Sequence, residues 1–105
     1  MEIKFDKSYL EELYLKGKCN DKKHRYQPQV IRKYIRVIDT LRGASRIEDL
    51  FHFQSLNYEV LKGDKKGIES VRVNNQYRIE FKSSQVVNET VVTICNILEL
   101  SNHYT

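Results

Sequence analysis

The sequence predicts an α+β domain in which N-terminal helices pack on one face of a small antiparallel β-sheet. In the first half of the chain, apolar residues recur at three- and four-residue spacing, which is typical of amphipathic helices. From about Tyr58 onward, apolar and polar residues alternate, as in strands that bury one face. Helical segments followed by a run of strand segments are typical of the α+β class.

The first helix is predicted to begin near Ser8 and to end at Gly17. Ser8 and Glu11 have the spacing of a capping box, and glycine commonly follows the last turn of a helix. Ser45 and Glu48 repeat this capping spacing further along the chain. They predict one more helical turn before the sheet begins.

The main helix is predicted over residues 29–42. Pro28 is placed to begin it, and Gly43 is placed to end it. Its apolar residues lie on one side of the helix: Ile31, Tyr34, Ile35, Ile38 and Leu41. Its basic residues are available to the other side: Arg32, Lys33, Arg36 and Arg42. A solvated basic face is the simplest interpretation, and a nucleic-acid-binding surface is the alternative.

Four segments are predicted to be strands: "YEVLK", "ESVRV", "YRIEFK" and "ETVVTICNIL". The second and third form a hairpin across residues 70–81. A three-residue loop, 74–76, places Val71 opposite Ile79 and Val73 opposite Tyr77, so that the apolar residues share one face. A two-residue loop would move Arg78 onto the face of the valines. Burial therefore favours the three-residue loop.

The same register places Arg72 opposite Arg78 on the face that the helices leave exposed. Like charges directly opposite each other destabilise a sheet. A surface salt-bridge cluster that includes Glu80 is one explanation. The other is an anion site, because the planar guanidinium group matches phosphate oxygens. If the pair serves only a phosphate, replacing Arg78 by Ala should leave stability unchanged or slightly improved.

Length and composition limit the possible classes of protein. With 105 residues and 12.5 kDa, the chain fits one domain, 1–105. The net charge of +4 suits a polyanionic partner. No apolar run approaches the ~20 residues of a membrane span, and we expect a cytoplasmic protein. Cys19 and Cys95 lack metal-ligand spacing, which favours free thiols over a disulfide or a zinc site.

Two further segments carry candidate functional residues. "LKGDKKG", residues 61–67, places Lys62 where it can lean over the sheet face, but it lacks the spacing of a nucleotide-binding P-loop. "SNHYT" ends the chain with His103 and Tyr104 directly after the last strand. Taken alone, a terminal His-Tyr pair is more often disordered or packed on the surface than functional.

Taken together, these segments resemble the HigB branch of the RelE superfamily, the toxins of bacterial toxin-antitoxin pairs. The matching features follow the family's order over almost the whole chain: "LEELYLKG", the basic helix, "EDL", "LKGDKKGIESVRVNNQYRIEF" and a terminal histidine. The resemblance implies a small α+β fold and an endoribonuclease that cleaves messenger RNA, typically in the ribosomal A site, without a metal or other cofactor. It also implies a cognate helix-turn-helix antitoxin that is HigA-like.

The resemblance carries over to individual residues that we expect to be catalytic. Lys62 matches the lysine of the family's "LKG", Arg78 the arginine of its "W/Y-R-I/V-x-F", and His103 the histidine of its terminal "D-Y-H". Arg72 is a less regular match. In this scheme Arg78 and Arg72 hold the phosphate, and His103 transfers protons, with Lys62 and Glu59 as alternatives.

Two positions depart from the family pattern. Glu59 stands where many members have a histidine, and Asn102 stands where a tyrosine is common. Tyr104 follows the histidine and can supply an aromatic ring that stacks on a base. The expected substrate-binding residues are therefore Tyr104, Asn102, Glu59, Lys65 and Lys66.

Two other classes of function stay open. One is a non-catalytic nucleic-acid-binding regulator that uses the basic helix 29–42. The other is an interaction module whose basic face docks an acidic partner. The chain lacks a short second helix at helix-turn-helix spacing, and its distinctive residues lie on strands, which favours the nuclease.

Overall fold

A computed structural model describes residues 1–102 as a five-stranded sheet with two α-helices on one face. His103 and Tyr104 lie outside the described residues. The strands are β1 (Glu2–Phe5), β2 (Glu59–Val60), β3 (Glu69–Arg72), β4 (Tyr77–Val87) and β5 (Val91–Asn102). The helices are α1 (Ser8–Lys16) and α2 (Pro28–Gly43), and short 3-10 helices span Ile47–His52, Gln54–Leu56 and Gly63–Lys65. The predicted α+β class is confirmed.

The sheet is mixed rather than wholly antiparallel. Its strand order is β1-β5-β4-β3-β2, and β1 lies parallel to β5, with Ile3 beside Cys95 and Phe5 beside Ile97. Strand β1 was not predicted from the sequence, and because it pairs parallel to β5 the prediction of an antiparallel sheet was wrong at this edge. Four residues are too few for alternation to stand out, and this strand obtains its hydrogen-bond partners from a segment at the other end of the chain.

Helix α1 begins one residue away from the predicted cap. Lys7 occupies the N-cap position without a side-chain hydrogen bond, and Ser8 is the first helical residue, so the predicted capping box was wrong. The predicted C-terminal end of α1, at Gly17, was correct. Gly17 has a φ of 71°, in the left-handed region that glycine adopts readily, and its amide donates to the Leu13 carbonyl at 3.0 Å.

Helix α2 begins at Pro28 and ends at Gly43, as predicted within one residue at each end. Its buried side supplies Val30, Tyr34, Val37, Ile38 and Leu41 to the core. The Tyr34 side chain is fully buried, and its hydroxyl donates to the Leu10 carbonyl at 2.8 Å. This bond satisfies a buried polar group and connects the two helices.

The turn after α2 is capped by a different residue from the one predicted. The backbone amides of Ser45 and Arg46 donate to the Asp49 carboxylate at 3.0 and 3.3 Å. Asp49, rather than Glu48, therefore accepts the free amides at the start of the 3-10 helix Ile47–His52.

The β3–β4 hairpin has the predicted register. Val71 lies opposite Ile79, and Arg72 lies opposite Arg78. The Asn74 side-chain oxygen accepts hydrogen bonds from the backbone amides of Gln76 and Tyr77 at 2.8 and 2.7 Å, which closes the loop.

A β-bulge adjusts the pairing of β4 with β5. Glu80 lies opposite Glu99 but the next residue, Phe81, lies opposite Ile97, so Leu98 is an extra residue in β5. Residues on one face of a regular strand are two positions apart, which would place Ile97 and Leu100 on opposite faces. The bulge allows both side chains to be buried in the core under the helices.

Part of the basic connector between α1 and α2 is structural. The His24 ring stacks on the Tyr9 ring, with centroids 3.6 Å apart, and its Nδ1 lies 2.8 Å from the Asp21 carboxylate. The Tyr26 hydroxyl donates to the Leu100 carbonyl at 3.1 Å. These contacts hold the connector against the end of β5.

Both cysteines of the described chain are free thiols. Cys95 is fully buried, and burial raises the pKa of its thiol to about 11. Cys19 is half-buried, and its Sγ lies 3.3 Å from the His24 carbonyl. No helix within residues 1–102 is long and apolar enough to cross a membrane.

The two thiols should differ in reactivity at pH 8. The thiolate is the reactive form, so a disulfide reagent should modify Cys19 in the native protein and reach Cys95 only after unfolding in guanidinium. Absorbance of the released thiol measures both steps. A Cys19→Ser variant is the control and should show no native reaction. Equal rates at both thiols in the native protein would contradict the burial of Cys95.

Candidate active site

The sheet face opposite the helices carries four of the predicted site residues: Glu59, Lys65, Arg72 and Arg78. Directly paired residues share a face, so the ladder places Arg72, Arg78 and Ser101 in one row. A neighbouring row holds Glu59, Ser70, Glu80 and Glu99. We call the surface formed by these two rows the polar face.

Arg78 is the most constrained charged group on the polar face. The whole Arg78 residue is only 7% exposed. Its Nε donates to the Ser70 hydroxyl at 3.0 Å and its Nη2 donates to the Asn57 carbonyl at 2.8 Å. The Glu59 carboxylate lies 4.0 Å from the same Nη2. The Nε and Nη2 atoms of this buried guanidinium group both have hydrogen-bond acceptors. A charge removed from water needs such partners to offset the loss of hydration.

The predicted exposed arginine pair is therefore corrected. Arg72 is exposed, and its Nη2 donates to the Asn75 side-chain oxygen. Arg78 reaches the other way, toward Ser70 and Asn57. The two guanidinium groups diverge and each has local partners, so no bound phosphate is needed to relieve their repulsion. The expectation that Arg78→Ala would leave stability unchanged no longer holds.

The backbone at Asn57 is arranged to meet Arg78. Asn57 has a φ of 44° and is the non-glycine residue with positive φ in the described chain. Asparagine tolerates this left-handed conformation better than most residues. It ends the 3-10 helix Gln54–Leu56 and directs its carbonyl toward the Arg78 guanidinium.

Lys65 lies on the polar face through an ion pair. Its Nζ donates to the buried Glu80 carboxylate at 2.8 Å, and this hydrogen bond raises the pKa of Lys65. Glu80 lies directly opposite Glu99, and the Lys65 ammonium group offsets the repulsion between these carboxylates. Lys62 and Lys66 belong to the same loop, and both are exposed.

An open groove of about 490 Å³ adjoins Arg78 at the β2 edge of the sheet. We call it the aromatic groove, and its lining includes Phe51, Phe53, Asn57, Tyr58, Glu59 and Val60. Phe51 and Phe53 are 58% and 47% exposed, which is unusual for phenylalanine. Asn57 and Glu59 belong both to this groove and to the surroundings of Arg78.

Tyr58 gives the aromatic groove a fixed wall. Its hydroxyl donates to one Glu69 oxygen at 2.5 Å, and the other Glu69 oxygen accepts from the Ser83 amide at 2.7 Å. Burial and the Glu69 carboxylate both raise the pKa of Tyr58, so its hydroxyl stays a donor. Sequence reasoning missed this groove, although the spacing of aromatic residues in "LFHFQSLNY" was a visible signal.

The structure does not bring Asn102 to Arg78. Asn102 lies opposite Tyr77 on the helix side of the sheet, whereas Ser101 lies opposite Arg78 on the polar face. The structure does bring Glu59 close to Arg78. It also places Ser70 and Asn57 against Arg78, and neither was predicted from the sequence as a site residue. Within residues 1–102, no three His, Cys, Asp or Glu side chains are grouped to hold a metal ion.

Comparison with known proteins identifies the family. A family model described as the RelE-like toxin of type II toxin-antitoxin system HigB matches residues 3–95. Toxin HigB-1 of Vibrio cholerae serotype O1 is 35% identical over 83 residues, which cover 78% of this chain and 83% of that protein. The chain belongs to the HigB-like toxin family. It is a toxin of a type II toxin-antitoxin system, and the resemblance seen in the sequence is confirmed.

Solved structures support the fold of this HigB-like toxin. The YoeB/ParE toxin from Agrobacterium tumefaciens aligns with a TM-score of 0.56 at 17% identity, covering 99% of this chain and 100% of that one. A chain of the YoeB-YefM complex from Staphylococcus aureus aligns with a TM-score of 0.52 at 21% identity, covering 99% of this chain and 98% of that one. At these identities the likeness concerns the fold alone.

Replacing Arg78 should cost stability, whereas replacing Arg72 should not. Arg78→Ala leaves the buried Ser70 hydroxyl and the Asn57 carbonyl without their donor, and we expect a loss of about 2–4 kcal/mol in the free energy of unfolding. Arg72→Ala removes an exposed side chain and should change it by less than about 0.5 kcal/mol. Urea denaturation measures both. Equal effects of the two substitutions would contradict the burial of Arg78.

Proposed function

We propose that this HigB-like toxin is an endoribonuclease that cleaves messenger RNA during translation in the ribosomal A site. The 2′-hydroxyl of the RNA attacks its adjacent phosphate, without a metal ion. Family membership supports the class of protein. The observation that carries the proposal is a buried arginine, Arg78, held in one orientation beside an open aromatic groove.

Arg78 is the proposed ligand of the scissile phosphate. Ser70 and Asn57 occupy its Nε and Nη2, so the guanidinium plane is oriented before substrate arrives. Its third nitrogen, Nη1, donates to no other described residue. We therefore assign Nη1 as the donor to a phosphate oxygen. Donors fixed in advance stabilise the extra negative charge of the transition state without reorganisation. Arg72 and Lys62 are the proposed additional cations.

Glu59 is the proposed general base among the described residues. Its side chain is 48% exposed, and its carboxylate lies 4.0 Å from the Arg78 Nη2, next to where the phosphate would bind. It accepts the proton of the 2′-hydroxyl as the oxygen bonds to phosphorus. The 5′-oxygen leaves with a proton supplied by His103 or Lys62, giving a 2′,3′-cyclic phosphate and a 5′-hydroxyl end.

The aromatic groove is the proposed site for a base. Phe51 and Phe53 present exposed rings within a groove that shares Glu59 with the proposed catalytic site. Stacking on aromatic rings is available to every base, so it orders single-stranded RNA without requiring one sequence. Tyr104, Asn102, Lys65 and Lys66 stay proposed substrate contacts. The proposed protein partner is a cognate HigA-like helix-turn-helix antitoxin.

Regulated expression in a bacterial host tests the proposed reaction. Wild-type protein should arrest growth and produce new RNA 5′-hydroxyl ends inside translated codons. Arg78→Lys keeps the charge but loses the planar fork, and we expect cleavage to fall by a factor on the order of 10². Sequencing of 5′ ends, with and without kinase treatment, measures both.

Controls separate loss of chemistry from loss of protein. Arg36→Gln, which removes an exposed charge on α2 away from the polar face, should stay active. The soluble amount and circular dichroism of Arg78→Lys must match a folded protein. Coexpression of the neighbouring antitoxin gene should restore growth. Normal growth with intact messages at high levels of folded wild-type protein would rule out the nuclease.

The aromatic groove should affect substrate binding more than the chemical step. Replacing Phe51 and Phe53 by Ala removes two exposed rings, of which Phe51 packs on Tyr58 with ring centroids 5.2 Å apart. Tyr58 keeps its hydrogen bond to Glu69, so the fold should be retained, and circular dichroism checks this. We expect the KM for RNA to rise by about ten-fold, within the range of ~1–3 kcal/mol per stacked base, with kcat little changed. Steady-state cleavage on programmed ribosomes measures this. An unchanged KM would exclude stacking at this groove.

A further inference from the structure

A second groove lies between the start of α2 and the β3–β4 hairpin loop. It has a volume of about 480 Å³. We call it the α2–hairpin groove, and its polar lining consists of Gln29, Lys33, Ser55, Arg72, Asn74 and Asn75. It is distinct from the aromatic groove, which shares none of these residues.

The ionisable residues of the α2–hairpin groove are all cations. Lys33 and Arg72 line it, and no carboxylate does. Three other surface grooves of comparable size each include a glutamate: Glu59 in the aromatic groove, Glu11 beside β1, and Glu48 with Glu69 beside β4. This difference in charge favours an anionic occupant for the α2–hairpin groove.

Hydrogen bonds inside the hairpin leave mainly donors facing this groove. The Asn74 side-chain oxygen is occupied by the amides of Gln76 and Tyr77. The Asn75 side-chain oxygen accepts from Arg72. The amide nitrogens of both asparagines therefore stay available as donors. Lys33 forms no hydrogen bond or ion pair with another described residue, so its ammonium group is also available.

One acceptor is available beside these donors. The Gln29 amide nitrogen donates to the Gln27 side-chain oxygen at 2.8 Å, which leaves the Gln29 oxygen able to accept a hydrogen bond. The sugar-phosphate backbone of RNA can use both kinds of group. Its phosphate oxygens accept from the donors, and a 2′-hydroxyl can donate to the Gln29 oxygen. An acidic peptide has fewer side-chain donors for it.

We propose that the α2–hairpin groove binds the phosphate backbone of single-stranded RNA at a nucleotide adjoining the cleaved one. This inference rests on the proposed function, and it names how the substrate continues beyond the polar face. Arg72 connects the two places, because it is paired with Arg78 in the ladder while its side chain lines the groove. Phosphates repeat at every nucleotide, so a strand held at Arg78 can bring another phosphate to Arg72 and Lys33.

Binding of RNA tests the subsite directly. The probe is a fluorescent single-stranded RNA that keeps its 2′-hydroxyl groups, and gel electrophoresis confirms that it stays intact. Anisotropy is measured with full-length protein over a range of salt concentrations. Lys33→Gln should weaken binding by about three- to ten-fold and lower the slope of log K against log salt by about 0.7–1, as expected for one lost phosphate contact. Its thermal stability should match wild type, because Lys33 is exposed.

A second variant and a matched control sharpen the result. Asn75→Asp keeps an oxygen for Arg72 but replaces the amide donor with a negative charge, so binding should weaken further than in Lys33→Gln. Lys16→Gln removes the same charge from an exposed position on α1 that lies outside the groove. It should leave the salt slope unchanged.

The outcomes separate this subsite from the proposed cleavage. Equal salt slopes for Lys33→Gln and Lys16→Gln would overturn the subsite, and so would an absence of RNA binding by the wild-type protein. Displacement of the probe through Lys33 by a polyglutamate peptide at lower concentration than by unlabelled RNA would also overturn it, in favour of an acidic protein partner. Probe binding through Lys33 by a folded protein that leaves messages intact in the expression experiment would support RNA binding at this groove and refute the nuclease.

Discussion

The burial of one positive charge organises the functional half of this protein. A guanidinium group with so little exposure must be partnered, and Arg78 finds its partners on two different elements, the Ser70 hydroxyl of β3 and the Asn57 carbonyl before β2. These bonds hold the segment after the 3-10 helices against the edge of the sheet. The aromatic groove exists because that segment is held there, since Asn57 and Glu59 form one of its walls. A stabilising contact and a candidate catalytic contact therefore use the same side chain, which is how a site is kept rigid before its substrate binds.

Strand register decides which residues share the polar face. The hairpin loop places Arg78 on the side away from the helices, and the Asn74 side chain holds that loop closed. The bulge at Leu98 sets which side chains of β5 lie on the polar face. It lets Ile97 and Leu100 both enter the core, and it places Ser101 opposite Arg78. A shift of one residue on either strand would exchange the polar and buried faces.

Charge is distributed differently at the two proposed RNA-binding places. The polar face mixes cations with carboxylates, and Lys65 is paired with Glu80 there. This arrangement suits proton transfer as well as phosphate binding, because an acid-base group such as Glu59 must lie near the guanidinium group. The α2–hairpin groove has cations and amide donors without carboxylates. It is suited to holding a backbone, and its lining has no carboxylate of the kind proposed as the general base. Cleavage in one place and strand binding in the other require only that a single RNA pass by Arg72.

The sequence by itself determined the α+β class, the bounds of α2, the register of the hairpin and the family. The class, the helix bounds and the register depend on local patterns: Pro28 and Gly43 bound a periodic segment, and the three-residue loop keeps Val71 and Ile79 together with Arg78 on the other face. The family depends on motifs that follow its order along the chain. Tertiary structure alone decided the burial of Arg78, the presence of β1 and the aromatic groove. Asn57 lies 21 residues from Arg78, and β1 pairs with the far end of the chain. Periodicity reports which face a residue occupies relative to its neighbours, whereas a contact between distant segments depends on how the whole core packs.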